Sequence, residues 1–172
     1  MENNVLQDLL DRVIGDSFGC VFSKDEYVKM DTGKFYVYNN AKKPFPGHFI
    51  SLYINKYNCL EVFDTSGRNI LPSYITSQVK SIYTVLKIQI QSSLTQVCSI
   101  YCIFWILKRF RGCSNKNIIS NFTSNFDKND SLIYTWYNSS KLFKQSENIT
   151  LLDTPFITNK LSRVYMYDMQ GN

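Results

Sequence analysis

The sequence predicts an α+β fold: a small, mainly antiparallel sheet packed against one buried central helix, with further helices around it. Three observations carry this. Runs rich in aromatic and β-branched residues, KFYVY at 34–38, HFISLYI at 48–54 and CLEVF at 59–63, have strand length and are separated by turn residues. Residues Asn3 to Ile14 place Val5, Leu6, Leu9, Leu10 and Val13 at helical spacing. The longest apolar run, VCSIYCIFWIL from Val97 to Leu107, falls short of the roughly 20 residues that a membrane-spanning helix needs, so it reads as a helix buried in a core.

In chain order, the first helix stops at Gly15. Phe18 to Phe22, around Gly19, is a loop or a short strand. Lys34 to Tyr38 is a strand, and Lys43-Pro44-Phe45-Pro46-Gly47 is a turn by its prolines and glycine. His48 opens the strand HFISLYI. Asn55 to Asn58 makes a hairpin turn, Cys59 to Phe63 returns as the next strand, and Asp64-Thr65-Ser66-Gly67 closes it. Pro72 to Ser81 is a short helix and Tyr83 to Ile90 (YTVLKIQI) a further strand. Gln91 to Gln96 is a polar loop. The apolar helix starts at about Cys98 and ends near Gly112, and its last turn carries Lys108, Arg109 and Arg111, where cations favour the helix dipole. Asn117 to Phe122 and Asp127 to Tyr137 read as two more helices. Residues 1–138 form the folded domain. Residues 139–172, rich in Ser, Asn and Lys, read as an extension packed on it or loosely attached.

Composition narrows the function classes. With 172 residues, 44% hydrophobic and 19% charged, the chain is globular rather than disordered. The net charge of +5 is compatible with DNA as a partner, although ordinary solubility charge is the better account of it. Five cysteines, an odd number with no CxxC pair, argue against a disulfide framework and for a reduced compartment. A single histidine gives no support for a zinc site. The polar, amphipathic start is not that of a secretory signal, and no membrane association is expected.

One constellation could carry chemistry. His48, the only histidine, stands at the start of one strand, and Asp64 ends the next. If the two pair as an antiparallel hairpin, the carboxylate lies beside the imidazole and can fix its tautomer and stabilise its cation. Cys98 lies where a polar loop becomes a helix, and the partial positive charge of a helix N-terminus favours a thiolate. Cys98 can also offer its backbone N–H to an oxyanion, and the Gln91 amide, seven residues earlier, can supply a second donor. Thiolate, base, orienting acid and oxyanion donors are the parts of a cysteine protease. Cys20, Cys59 and Cys102 lie in apolar stretches and read as packing residues.

The strings GHFISLYINKYNCLEVFDTSG and QSSLTQVCSIYCIFWILKR resemble the adenain family, the adenovirus-type cysteine endopeptidases, in the versions carried by smaller DNA viruses and virus-like transposons. FGCVFSKDEY, YVYNNAKKPFPGH and IISNFTSNFDKNDSLIYTWY extend the likeness over roughly Phe18 to Tyr137. The order His, Asp, Gln, Cys also occurs in the related proteases specific for SUMO and other ubiquitin-like proteins. Three positions depart from the family pattern: Phe49 stands where Trp is usual, Ser99 where Gly follows the nucleophile, and Asp64 is the acid of the ubiquitin-like-specific branch. The resemblance implies a papain-like arrangement of the adenain type, with Cys98, His48, Asp64 and Gln91 catalytic. It implies cleavage of capsid or core precursors during virion maturation, within the virion and the host cell interior, in the nucleus. No cofactor is needed for the chemistry, whereas DNA and a short viral activating peptide are implied as helpers. Two alternatives stand beside this reading: removal of ubiquitin or a ubiquitin-like modifier from host proteins, and a non-catalytic virion or DNA-binding module on the same fold.

Overall fold

The structure, a computed structural model, describes residues 1–140 apart from Pro44 and Pro46. The two prolines of the predicted turn and most of the predicted extension, residues 141–172, thus lie outside the described residues. The elements run α1 (Asn3–Ile14), β1 (Phe18–Ser23), β2 (Phe35–Asn39), β3 (Phe49–Ile54), β4 (Cys59–Phe63), α2 (Ser73–Thr76), β5 (Ser81–Thr84), α3 (Cys98–Phe110), α4 (Asn115–Ile119) and α5 (Phe126–Ser139). They build a five-stranded sheet in the order β1-β2-β3-β4-β5. The central strands β2, β3 and β4 pair antiparallel, and each edge strand joins its neighbour in parallel.

Strand alternation divides the apolar residues between the two faces of the sheet. Phe35 and Val37, Phe49 and Phe63 face a core shared with α1, α3, α4 and α5. Tyr36, Tyr38, Ile50, Leu52, Leu60 and Val62 face a second core closed by Phe22, Met30 and Ile75. Helix α1 contributes Leu6, Leu9, Leu10 and Ile14 to the first core. Helix α3 is buried from Cys98 to Leu107, because sheet and helices enclose it. At its heart Trp105, fully buried, stacks on Phe63 with ring centroids 5.5 Å apart and meets Phe35 edge-on at 6.1 Å. Cys102 points into this core, as its spacing from Cys98 predicts.

The basic last turn of α3 has a more specific partner than the helix dipole. Glu61, on the helix-facing side of β4, accepts two hydrogen bonds from the Arg109 guanidinium at 2.9 and 3.1 Å and one from Asn115 at 2.8 Å. Asn115 in turn accepts from the Trp105 indole N–H at 3.0 Å. The C-terminal end of α3 is thereby fastened to the sheet by a charge-assisted fork.

Three predicted elements are corrected. The strand expected over Tyr83–Ile90 is instead Ser81–Thr84. Val85, Leu86 and Ile90 are buried, which explains the apolar alternation, but the Leu86 carbonyl accepts from the Asn69 side chain rather than from a neighbouring strand. The helix expected over Pro72–Ser81 is one turn, Ser73–Thr76, since the chain must reach the sheet by Ser81. The helix expected over Asn117–Phe122 is Asn115–Ile119, started by Ser114, whose hydroxyl accepts from the Asn117 N–H.

Candidate active site

The β3–β4 hairpin places the acid and the base. Ser51 pairs with Phe63, so the residues just outside those strand ends, His48 and Asp64, meet at one edge. His48 precedes β3 rather than opening it. Its backbone is nonetheless held to Asn40, the residue after β2, with the carbonyl accepting from the Asn40 N–H at 3.1 Å and the N–H donating to the Asn40 side chain at 2.8 Å. His48 Nε2 and Asp64 Oδ1 are 2.6 Å apart.

Asp64 is almost wholly buried, yet its carboxylate is richly supplied with donors. Oδ1 also accepts from the Ser66 N–H at 2.9 Å and the Ser66 hydroxyl at 2.8 Å, and Oδ2 accepts from the Asn69 N–H at 2.8 Å. Burial pushes the Asp64 pKa up, but His48 and Ser66 outweigh it, and the group lies below the usual carboxylate range. Gly67 closes this turn with φ +70° and donates to the Asp64 carbonyl at 3.0 Å. A Cβ there would lie 2.6 Å from both Gln89 N and Ile88 C, which are backbone atoms. Gly67→Ala should therefore cost about 2 kcal/mol or more, measured by urea unfolding, and slow Cys98 alkylation by loosening the carboxylate.

Because Nε2 is engaged by Asp64, Nδ1 is the ring nitrogen left for Cys98. The Cys98 sulfur lies under the influence of His48 and of the backbone N–H groups of Phe49 and Ser99. Burial raises the thiol pKa, but His48 and these two N–H groups outweigh it and hold it below its ordinary value. For His48, burial acts to lower the pKa, while Asp64 and Cys98 raise it to about 9. Both shifts favour a thiolate–imidazolium pair. Phe49 is buried in the core, as an aromatic at that position should be. Ser99 is buried in the first turn of α3 and also lines the cleft.

Gln91 reaches the same place from the irregular segment between β5 and α3. Its Oε1 accepts from the Thr65 hydroxyl at 2.6 Å, and Nε2 donates to the Thr95 carbonyl at 3.1 Å. A primary amide carries two N–H bonds, so one remains for the cleft. Cys98 opens α3, and its N–H has no intrahelical acceptor. The cleft, about 840 Å³, is lined by His48, Gln91, Cys98 and Ser99 together with Asn39 and Gln96 among others. The structure thus brings His48, Gln91 and Cys98 to one cleft, with Asp64 buried outside its lining and held against His48.

Sequence reasoning passed over the residues that hold these four in place. From sequence, Thr65 and Ser66 enter only as turn formers, Asn69 not at all, and Thr95 only as part of a polar loop. The available signal for the first three was their position directly after Asp64, where side-chain oxygens and backbone N–H groups gather around a carboxylate. Among the described residues no helix is long and apolar enough to cross a membrane.

No family model matches the chain, and no curated protein matches it. Among solved structures it is similar to the ASFV pS273R protease, with a TM-score of 0.57 and 18% identity over 74% of this chain. This chain spans 63% of the length of that one. At that identity the likeness is one of architecture: the chain shares the α+β fold of that protein.

Proposed function

We propose that this chain is a cysteine endopeptidase. The observation that carries the reading is the pair of buried Asp64 and half-buried His48 at 2.6 Å, set against a Cys98 thiol at the start of α3 whose pKa is lowered while that of His48 is raised. Such a pair supplies a thiolate at neutral pH and a proton for the leaving group. The Cys98 thiolate attacks the scissile carbonyl and forms a C–S bond. The carbonyl oxygen becomes an oxyanion facing the Cys98 N–H and the free N–H of the Gln91 amide. The C–N bond breaks as the His48 imidazolium gives its proton to the departing amine. Neutral His48 then takes a proton from water, the hydroxide attacks the thioester, and thiol and acid are released. Asp64 stays ionised and holds the imidazole in place.

The substrates proposed are protein precursors of a viral capsid or core, cut during maturation in the virion and the host nucleus, with DNA or a short viral peptide as activator. The resemblance to the adenain family supports this finer reading, and the fold shared with the ASFV pS273R protease supports its proteolytic part. A protease for ubiquitin-like modifiers remains the second reading, favoured by Asp64 as the acid. A thiol-directed probe should label the wild-type chain at neutral pH and fail to label folded Cys98→Ala. Equal labelling of the two, or none of either, would sink both enzymatic readings and leave the non-catalytic module. Preference for a ubiquitin-like substrate over capsid-precursor peptides would select the second.

A further inference from the structure

The segment from Val85 to Val97 carries Gln91 but forms no helix or strand, so its backbone polar groups and its position must be fixed by other means. One anchor is Thr65, whose carbonyl accepts from the Ile90 N–H at 3.0 Å. The other comes from α5. Asn129 donates to the Ile90 carbonyl at 2.9 Å. The next residue, Asp130, accepts from the Ser92 N–H at 3.2 Å and from the Thr95 hydroxyl at 2.6 Å, both on Oδ2. Thr95 is also the residue whose carbonyl receives the Gln91 amide. The second oxygen of Asp130 turns the opposite way and accepts from the Tyr101 hydroxyl at 2.8 Å. Tyr101 is fully buried and sits one turn after Cys98 in α3.

A single buried carboxylate thus touches the Gln91 loop with one oxygen and the Cys98 helix with the other. The oxyanion donors of the proposed mechanism are the Gln91 side chain and the Cys98 N–H, one on each of these two parts. Their separation decides whether both can reach one oxygen, and a misplacement of about 1 Å can cost roughly 10²-fold in rate. We propose that Asp130 is a positioning residue that sets the Gln91 amide at the right distance from the N-terminus of α3. This rests on the cysteine-protease reading of the same site. Packing alone does not require a carboxylate there: a buried Asp is costly unless its acceptors are used, and here both oxygens are used to bridge separate elements.

The test is a double-mutant cycle on the full chain, with an N-acetylglycine p-nitrophenyl ester as acyl probe and iodoacetamide as a probe of the thiolate alone. Gln91→Ala should lower ester turnover roughly 10²–10³-fold. Asp130→Asn should lower kcat roughly 10-fold or more, with KM and the pH dependence of alkylation unchanged, because alkylation uses no oxyanion donor. In the Gln91→Ala background Asp130→Asn should cost almost nothing further, since its effect runs through Gln91. Thr95→Val, which removes the shorter of the two loop-side bonds and leaves that of the Ser92 N–H, should shift kcat in the same direction as Asp130→Asn and serves if that variant fails to fold. Independently of turnover, ¹⁵N relaxation of the Gln91 side-chain amide should report a looser group in either variant. Additive losses in the cycle, a parallel fall in alkylation, or an unchanged Gln91 amide would each overturn the proposal. If the wild type lacks both alkylation and turnover, the protease reading fails by itself, and the relaxation measurement still decides whether Asp130 anchors Gln91.

Discussion

Replacing His48 by Ala should lower turnover roughly 10²–10⁴-fold, the range typical of a positioned general acid–base. It should also change the reactivity of the thiol. In the wild type the Cys98 pKa lies below its ordinary value and that of His48 at about 9, so the ion pair exists between the two. Below that window the thiolate is protonated. Above it the imidazolium loses the proton that the leaving amine needs. Turnover should therefore fall on both sides, whereas alkylation, which needs only the thiolate, should rise through the acid limb and stay high above pH 9. In His48→Ala the main hydrogen-bonding cause of the lowered thiol pKa is gone and burial remains. The alkylation profile should then move towards alkaline pH, where a thiol titrating near 9 is only about 1% ionised at pH 7. An unmoved profile would mean that the Phe49 and Ser99 N–H groups hold the thiolate without the histidine.

Trp105→Ala should be the most destabilising single truncation in the first core, costing about 3–5 kcal/mol. The residue is fully buried, stacks on Phe63 at an interplanar angle of 9°, and donates to Asn115. Its loss opens a cavity and takes away the donor that holds Asn115 beside Glu61. For a chain of this size the melting temperature should drop by roughly 10 °C, read by calorimetry or by far-UV circular dichroism. Trp105→Phe, which keeps a ring against Phe63, should cost less than half as much. Because Phe63 immediately precedes Asp64, the Ala variant should also lose alkylation rate at temperatures where it is still folded. A normal rate there would show that the stacking supports stability alone.

The hairpin that joins His48 to Asp64 was legible because every signal in it was local. Two aromatic and β-branched runs flank a four-residue turn in which Asn58 takes φ +58°, and the pairing follows from the turn. The helix start at Cys98 was legible from the change from polar to apolar residues. The region between them was not. Val85, Leu86 and Ile90 alternate as a strand would, but alternation reports which side chains are buried and not which backbone groups are paired. There the Asn69 side chain takes the Leu86 carbonyl, and Gly67 lies close against Ile88 and Gln89. These partners are separated in sequence by about twenty residues and leave no local trace. Asp130 was overlooked for a related reason. It shares the buried side of α5 with Asn129, Ile133 and Trp136, and an acid on such a stripe is the available hint that a buried polar partner awaits it.

The groups that act on the Cys98 sulfur are contributed by different parts of the chain: His48 just before β3, Phe49 at its start, and Ser99 from α3 itself. In an extended or partly collapsed chain none but the neighbouring residue is at hand, and the cysteine has the sluggish chemistry of any thiol. Reactivity should then appear only when the start of β3 and the start of α3 have come together. The chain should carry an ordinary thiol at Cys98 until these parts meet, and the rate at which iodoacetamide consumes Cys98 during refolding should report that meeting.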